Sequence, residues 1–232
     1  MRVEPQARGA KAVFLAVKRN AGWLLLLFVG VLLPLLVFVQ LADEVHEREK
    51  LAFDNPILLN AYGLSGPGLD QIFVVVAKLG YEGVIALDIV IVLVLLAFRR
   101  WREASFAALC FTGSALLNLG AKQLFQRERP TLWASISPEQ TFSFPSAHAM
   151  GSMTLAMVVV LLAWPTRWRW LVTLVAMVFV LLVGYSRIYL GVHYPSDILA
   201  GWMAAIAWVM GGYLLVFRVP LRPWAGVSAP PR

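Results

Sequence analysis

Residues 21–42 contain no charged side chain, and no feature of the chain narrows its possible folds more than this run. About 20 mainly apolar residues in a helix cross a hydrocarbon core about 30 Å thick. Within that core every backbone amide must find its partner inside its own segment or a closed barrel. Five basic residues precede the run: Arg2, Arg8, Lys11, Lys18 and Arg19. They resemble a signal peptide, but the run is too long for one and no small-x-small cleavage site follows before Asp43. It reads as an uncleaved first span, kinked at Pro34.

Further apolar runs at 83–98, 104–121, 149–164, 170–185 and 198–217 complete an expected all-α, polytopic membrane protein of six transmembrane helices. Residues 43–70, rich in charge, Pro and Gly, read as a loop. The apolar stretch 69–79 is too short to cross, so it is either an interfacial helix or the first turns of span two. A composition of 60% apolar and 14% charged residues excludes an ordinary soluble enzyme or a disordered chain. The single cysteine, Cys110, excludes an intramolecular disulfide. Three parts are expected: an arm over 1–20, a membrane domain over 21–217 and a tail over 218–232.

The net charge of +7 sorts by side. With six spans the termini share a face. That face carries thirteen basic residues, in the arm, at Arg99, Arg100 and Arg102, at Arg167 and Arg169, and in the tail. The other face carries six, with Lys78 ambiguous. The positive-inside rule therefore expects both termini in the cytoplasm. Basic charge of this kind orients helices, and no nucleic-acid partner is expected. Trp23, Trp101, Trp164, Trp168 and Trp170 fall near span ends, as interfacial aromatics do.

Three segments set ionisable groups against that trend. In KQLFQRERP, Lys122 and Arg129 lie seven positions apart, about two helical turns, so both can point one way from the end of span three before Pro130 stops the helix. A point charge beside a planar fork suits a phosphate. In FPSAHAM, Pro145 and Ser146 open a helix whose first amides, at Ala147 and His148, are free to bind an anion. In SRIYLGVHYPSD, Arg187 ends one helix and Pro195 opens the next. Asp197, in the first turn, can accept a hydrogen bond from His193 and leave the other ring nitrogen as a nucleophile. Taken singly, each segment is equally well a snorkelling cation pair, a capped helix with an interfacial histidine, or an Asp cap beside a surface histidine. Together they gather two of the chain's three histidines with Lys122, Arg129 and Arg187 at one leaflet. Ionisable groups at membrane depth are costly and mark function.

The order Lys-x6-Arg-Pro, Pro-Ser-x-His, Ser-Arg-x5-His-x3-Asp resembles the type 2 phosphatidic acid phosphatase (lipid phosphate phosphatase) superfamily, over residues 122–197. The resemblance implies a metal-independent, cofactor-free hydrolase working through a phosphohistidine. His193 would be the nucleophile, Asp197 its orienting carboxylate and His148 the acid and then base. Lys122, Arg129, Arg187, Ser146 and the Ala147 amide would hold the phosphoryl oxygens. Ala147 stands where the family most often has Gly, which matters only if that residue needs a positive φ.

The expected partner is a lipid phosphate at the outer leaflet of a bacterial inner membrane. Undecaprenyl pyrophosphate is narrowly favoured over phosphatidylglycerophosphate, phosphatidic acid and diacylglycerol pyrophosphate. A phosphotransferase with the same residues, or a non-catalytic lipid transporter or scaffold, are the rivals. Elsewhere, Asp88 and Asn118 are expected to bond within the bundle, Lys78 and Glu82 to pair, and His46 to be solvated.

Overall fold

The computed structural model describes residues 20–48, 51–217 and 223–224. The basic arm before Asn20 and nearly all of the tail lie outside the described residues, as does Lys50. What is described is helical and without strands: α1 (Asn20–His46), α2 (Asp54–Tyr62), α3 (Pro67–Ala97), α4 (Trp101–Phe125), α5 (Ala147–Ala163), α6 (Arg169–Tyr189) and α7 (Pro195–Val216). Five of these, α1, α3, α4, α6 and α7, are long and apolar enough to cross a membrane, and α5 is a shorter apolar helix.

The sequence places two boundaries differently. Residues 43–70 are not simply a loop, because α1 runs on to His46 and α2 lies between it and α3. The stretch 69–79 forms the first turns of α3, not a separate interfacial helix. Both α1 and α3 carry a turn of π-helix, at Phe28–Leu32 and Leu79–Gly83. In α1 this turn precedes Pro34, which has no amide to donate and would crowd the carbonyl four residues back. The widened turn absorbs that mismatch within one continuous helix. In α3, Gly80 lies against Val183 of α6, so close that a Cβ there would stand 2.6 Å from a Val183 methyl.

The helices pack around α5, which contacts α4, α6, α7 and the π-turn of α3, while α1 covers α7. The main core joins Phe106, Ala107 and Cys110 of α4 to Val158 of α5 and Val209 of α7. Leucines and valines on the outer faces are exposed, as lipid-facing side chains should be. His46, at the end of α1, is exposed. Lys78 and Glu82 form no ion pair among the described residues and instead line a cavity.

Up-and-down packing brings the end of α4, the start of α5, the end of α6 and the start of α7 to one end of the bundle. The exposed Trp101, Trp164, Trp168 and Trp170 belong to the other end. There Arg169 lies against the rings of Trp164 and Trp170.

Candidate active site

Lys122 and Arg129 do converge, though not along one helical face. Helix α4 stops at Phe125 because Gln126 turns left-handed, with φ of 44°. Pro130 is therefore not the stop signal, and Arg129 lies on the connecting segment. Both cations reach the same short stretch from different directions. Lys122 Nζ donates to the carbonyl of Phe142 and lies 3.4 Å from Thr141 Oγ1. Arg129 donates to the Thr141 carbonyl at 2.7 Å through Nε and to Thr141 Oγ1 at 3.0 Å. Segment 126–146 is pinned by Phe144, fully buried against Phe38 and Phe125.

Ser146 caps α5, its hydroxyl accepting from the Ala149 amide at 3.4 Å. Ala147 is the first helical residue, and its φ is not among the positive values of the chain, so the side chain costs nothing there. His148 follows, 9% exposed, its ring 5.1 Å from that of Tyr81 on the π-turn of α3. Its Nδ1 is buried and has no hydrogen-bond partner.

Between α6 and α7 the chain reverses at Gly191, whose φ of +68° suits glycine. A Cβ there would also collide with Trp133, on which Tyr62 stacks at 4.6 Å. The turn delivers His193, fully buried, against the start of α7. Its Nδ1 lies 3.3 Å from Ser143 Oγ and 3.4 Å from Asp197 Oδ2. Its Nε2 lies 3.1 Å from an Arg129 amino group. Arginine can only donate, so Nε2 is the accepting nitrogen and the proton belongs on Nδ1. That is the tautomer with a lone pair on Nε2.

Asp197 serves more than His193. Its Oδ1 accepts from Arg127 at 2.5 Å, and its Oδ2 accepts from Ser143 Oγ at 2.5 Å and the Tyr194 amide at 2.9 Å. Arg127 also holds Asp54 of α2 at 2.9 Å, and Asp54 in turn accepts from the amide and hydroxyl of Ser196. The sequence reading counted Arg127 only among the six basic residues of the face opposite the termini, and it missed Asp54, Ser143 and Ser196.

The largest omission was Glu139. One of its oxygens bonds Arg187 and lies 3.7 Å from His148 Nδ1. The other accepts from Arg129 at 2.6 Å and lies 3.8 Å from His193 Nε2. Burial pushes this carboxyl up, but the charges of Arg187 and Arg129 outweigh it and hold it well below the usual carboxylate range. A signal existed: Glu128 and Glu139 are the only acidic residues between Lys122 and Asp197.

The structure thus gathers all eight residues singled out in the sequence. Lys122, Arg129, Arg187, His148, His193 and Asp197 meet with Ser146 and Ala147 at one end of the bundle. A cavity of about 600 Å³ leads away from them between α3, α4 and α5, past Tyr81, Val84, Asp88, Phe111 and Ala115. An anion in Glu139's place would lie between His193 Nε2 on one side and the unpartnered Nδ1 of His148 on the other.

Known proteins resemble this chain in sequence and fold. The family model of the PAP2 superfamily matches residues 103–220. Phosphatidylglycerophosphatase B of Bacillus subtilis is 30% identical over 190 residues, covering 79% of this chain and 90% of the relative. An undecaprenyl-diphosphatase of Sulfolobus acidocaldarius is 32% identical over 147 residues, 61% of this chain and 67% of the relative. The crystal structure of a transmembrane PAP2-type phosphatidylglycerolphosphate phosphatase from Bacillus subtilis superposes with a TM-score of 0.69 at 27% identity, covering 78% of this chain and 94% of that one. By sequence and fold, the chain belongs to the PAP2 superfamily.

Proposed function

We propose that this protein is an integral membrane lipid phosphatase that removes a terminal phosphate without a metal, through a phosphohistidine. The observation that carries the reading is the pair of histidines facing one carboxylate from two sides while Arg129 and Arg187 bind it. A phosphoryl group in that position would meet His193 Nε2 in line. As the N–P bond forms, the leaving oxygen takes a proton from His148. Water, deprotonated by His148, then cleaves the N–P bond and releases inorganic phosphate. Phosphoryl transfer needs chiefly positioning and charge neutralisation. Lys122, Arg129 and Arg187 supply the charge, with Ser146 and the Ala147 amide at the start of α5. Asp197 would stabilise the positive charge that develops on His193.

In this reading α5 also crosses, as the fourth of six spans, both termini are cytoplasmic, and the site faces away from the cytoplasm of a bacterial inner membrane. The excess of basic residues at the opposite end supports that orientation. The cavity beside the site would take the lipid next to its phosphate. Undecaprenyl pyrophosphate stands first among the substrates, ahead of phosphatidylglycerophosphate and phosphatidic acid. The outward-facing site supports it, and relatives carry either of the first two activities in their names.

The test is phosphate release in detergent with EDTA, comparing wild type with His193→Ala on these three lipids. Release that survives in the variant, or that requires a divalent metal, overturns the mechanism. For orientation, a cysteine introduced at Thr131 should react with an impermeant reagent from outside intact cells. Labelling only after lysis would reverse it.

A further inference from the structure

The cation cluster is not empty. Arg127 is committed to Asp54 and Asp197, which leaves Lys122, Arg129 and Arg187 to face the site, and Glu139 binds two of these. Arg187 is 1% exposed and Lys122 6%. Without Glu139 this end of the bundle would hold three largely desolvated positive charges with no anion of its own, a costly state. Glu139 lies on the segment 126–146 between helices, and its side chain is 26% exposed, so it approaches from the solvent side. Any phosphate that reaches His193 must first displace it.

Displacement is a contest between anions. A carboxylate carries one charge and two terminal oxygens, and so does a phosphodiester. A phosphomonoester, or the terminal phosphate of a diphosphate, carries close to two charges and three terminal oxygens at neutral pH. Against the same cations the second charge decides the outcome. The tethered carboxylate also competes at an effective concentration in the millimolar range. A phosphodiester offers nothing that Glu139 does not, and the surrounding bilayer is made of phosphodiester lipids.

We propose that Glu139 is a specificity-determining residue, an internal monoanion that keeps phosphodiester headgroups out of the cation cluster and yields only to a terminal phosphate. This rests on the phosphatase reading and adds a selection rule to it: the lipid is chosen first by the charge of its phosphate and only then by its tail. Glu139 also closes the cycle, since its return helps to expel the inorganic phosphate formed at the end of each turnover.

The experiment uses the full-length protein in a non-ionic detergent. Thermal-shift titrations with inorganic phosphate and with dimethyl phosphate are run on wild type, Glu139→Gln and Glu139→Asp. Wild type should bind phosphate and show no response to the diester. In Glu139→Gln the affinity for phosphate should rise about tenfold, the scale on which a tethered competitor acts, and dimethyl phosphate should now bind. Glu139→Asp keeps the charge but shortens the reach, so it should fall between the two and serves if the Gln variant does not fold.

A second arm measures hydrolysis of phosphatidic acid as phosphatidylglycerol is added, with neutral diacylglycerol as the dilution control. Phosphatidylglycerol should inhibit Glu139→Gln beyond dilution and leave wild type affected by dilution alone. Unchanged phosphate affinity in Glu139→Gln together with no diester binding overturns the proposal, as does equal phosphatidylglycerol inhibition of both proteins. Absence of hydrolysis by wild type on every lipid would instead overturn the phosphatase reading, and the titrations would still report the competition at Glu139.

Discussion

Gly201, one turn into α7 from Asp197, is where packing and chemistry meet. A Cβ at this position would stand 2.9 Å from the Ser146 carbonyl oxygen, 3.1 Å from the Met150 nitrogen and 3.2 Å from the Ala149 Cβ. The two nearest atoms are backbone of the first turn of α5, which cannot rotate aside. Comfortable carbon–oxygen contact begins near about 3.3–3.6 Å, so Gly201→Ala must part the two helices by roughly half an ångström. The Ser146 amide donates to the Asp197 carbonyl at 3.1 Å, and that separation stretches the bond beyond useful range. Overpacking of this kind costs about 1–3 kcal/mol, or roughly 2–12 °C in a chain of this size. The same shift carries His148 away from His193, and since about 1 Å of misplacement costs on the order of 10²-fold, kcat should fall about tenfold. Thermal unfolding in detergent and steady-state hydrolysis of phosphatidic acid measure the two effects. Gly211→Ala on the same helix is the control. A Cβ there meets nothing within 4 Å, so the change should be neutral or stabilising by up to about 1 kcal/mol. If Gly201→Ala matches Gly211→Ala in both assays, the close approach of α5 and α7 does not set the site.

Arg127→Met should destabilise the protein by about 3–5 kcal/mol, because it strands Asp54 and Asp197, both buried, without their cation. Adding Asp54→Asn should recover part of that loss, and a double-mutant cycle in thermal unfolding that proves additive would refute the linkage. His148→Ala should reduce turnover by about 10²–10⁴-fold. Labelled lipid phosphate should then leave label on the protein at His193, and complete absence of label would argue against a phosphohistidine. Glu139 also gives a pH signature. Its folded pKa lies below its unfolded value of about 4.3. The stability it contributes is therefore complete above that pH and is lost as pH falls through the folded value. Between pH 5 and 3 wild type should lose more stability than Glu139→Gln in parallel melts; equal slopes would contradict the ion pairs drawn for this carboxylate.

The spans were legible because lipid imposes one rule along a whole segment, and α4, α6 and α7 follow their apolar runs closely. The candidate site was legible because its residues sit near helix ends in three segments; spacing left each segment open, and only the three together, with the family resemblance they carry, singled out His148, His193 and Asp197. The remainder is non-local. Nothing near Arg127 in the chain announces Asp54, 73 residues away, or Asp197, 70 residues away. Helix α2 was hidden in a polar, Pro-containing stretch because it is only 9 residues long, too short for a clear period. The seven-residue step from Lys122 to Arg129 did signal convergence, but the left-handed Gln126 breaks the helical geometry that the spacing suggested. Glu139 follows Pro138 in an irregular segment, where no periodicity indicates which way a side chain faces.

The bond between Asp54 and Ser196 also dictates an order of assembly. Asp54 is made early, yet the amide and hydroxyl it accepts from lie 142 residues later in the chain. At about 5–20 residues per second, roughly 7–28 s of synthesis pass before that partner exists. His193 and Asp197 arrive in the same late stretch, and α7 must then settle against α1, among the first parts made. A nascent chain with its first four or five helices in the membrane therefore holds Lys122 and Arg129 but still lacks Arg187, His193 and Asp197. The candidate site is therefore incomplete until the last helix is inserted.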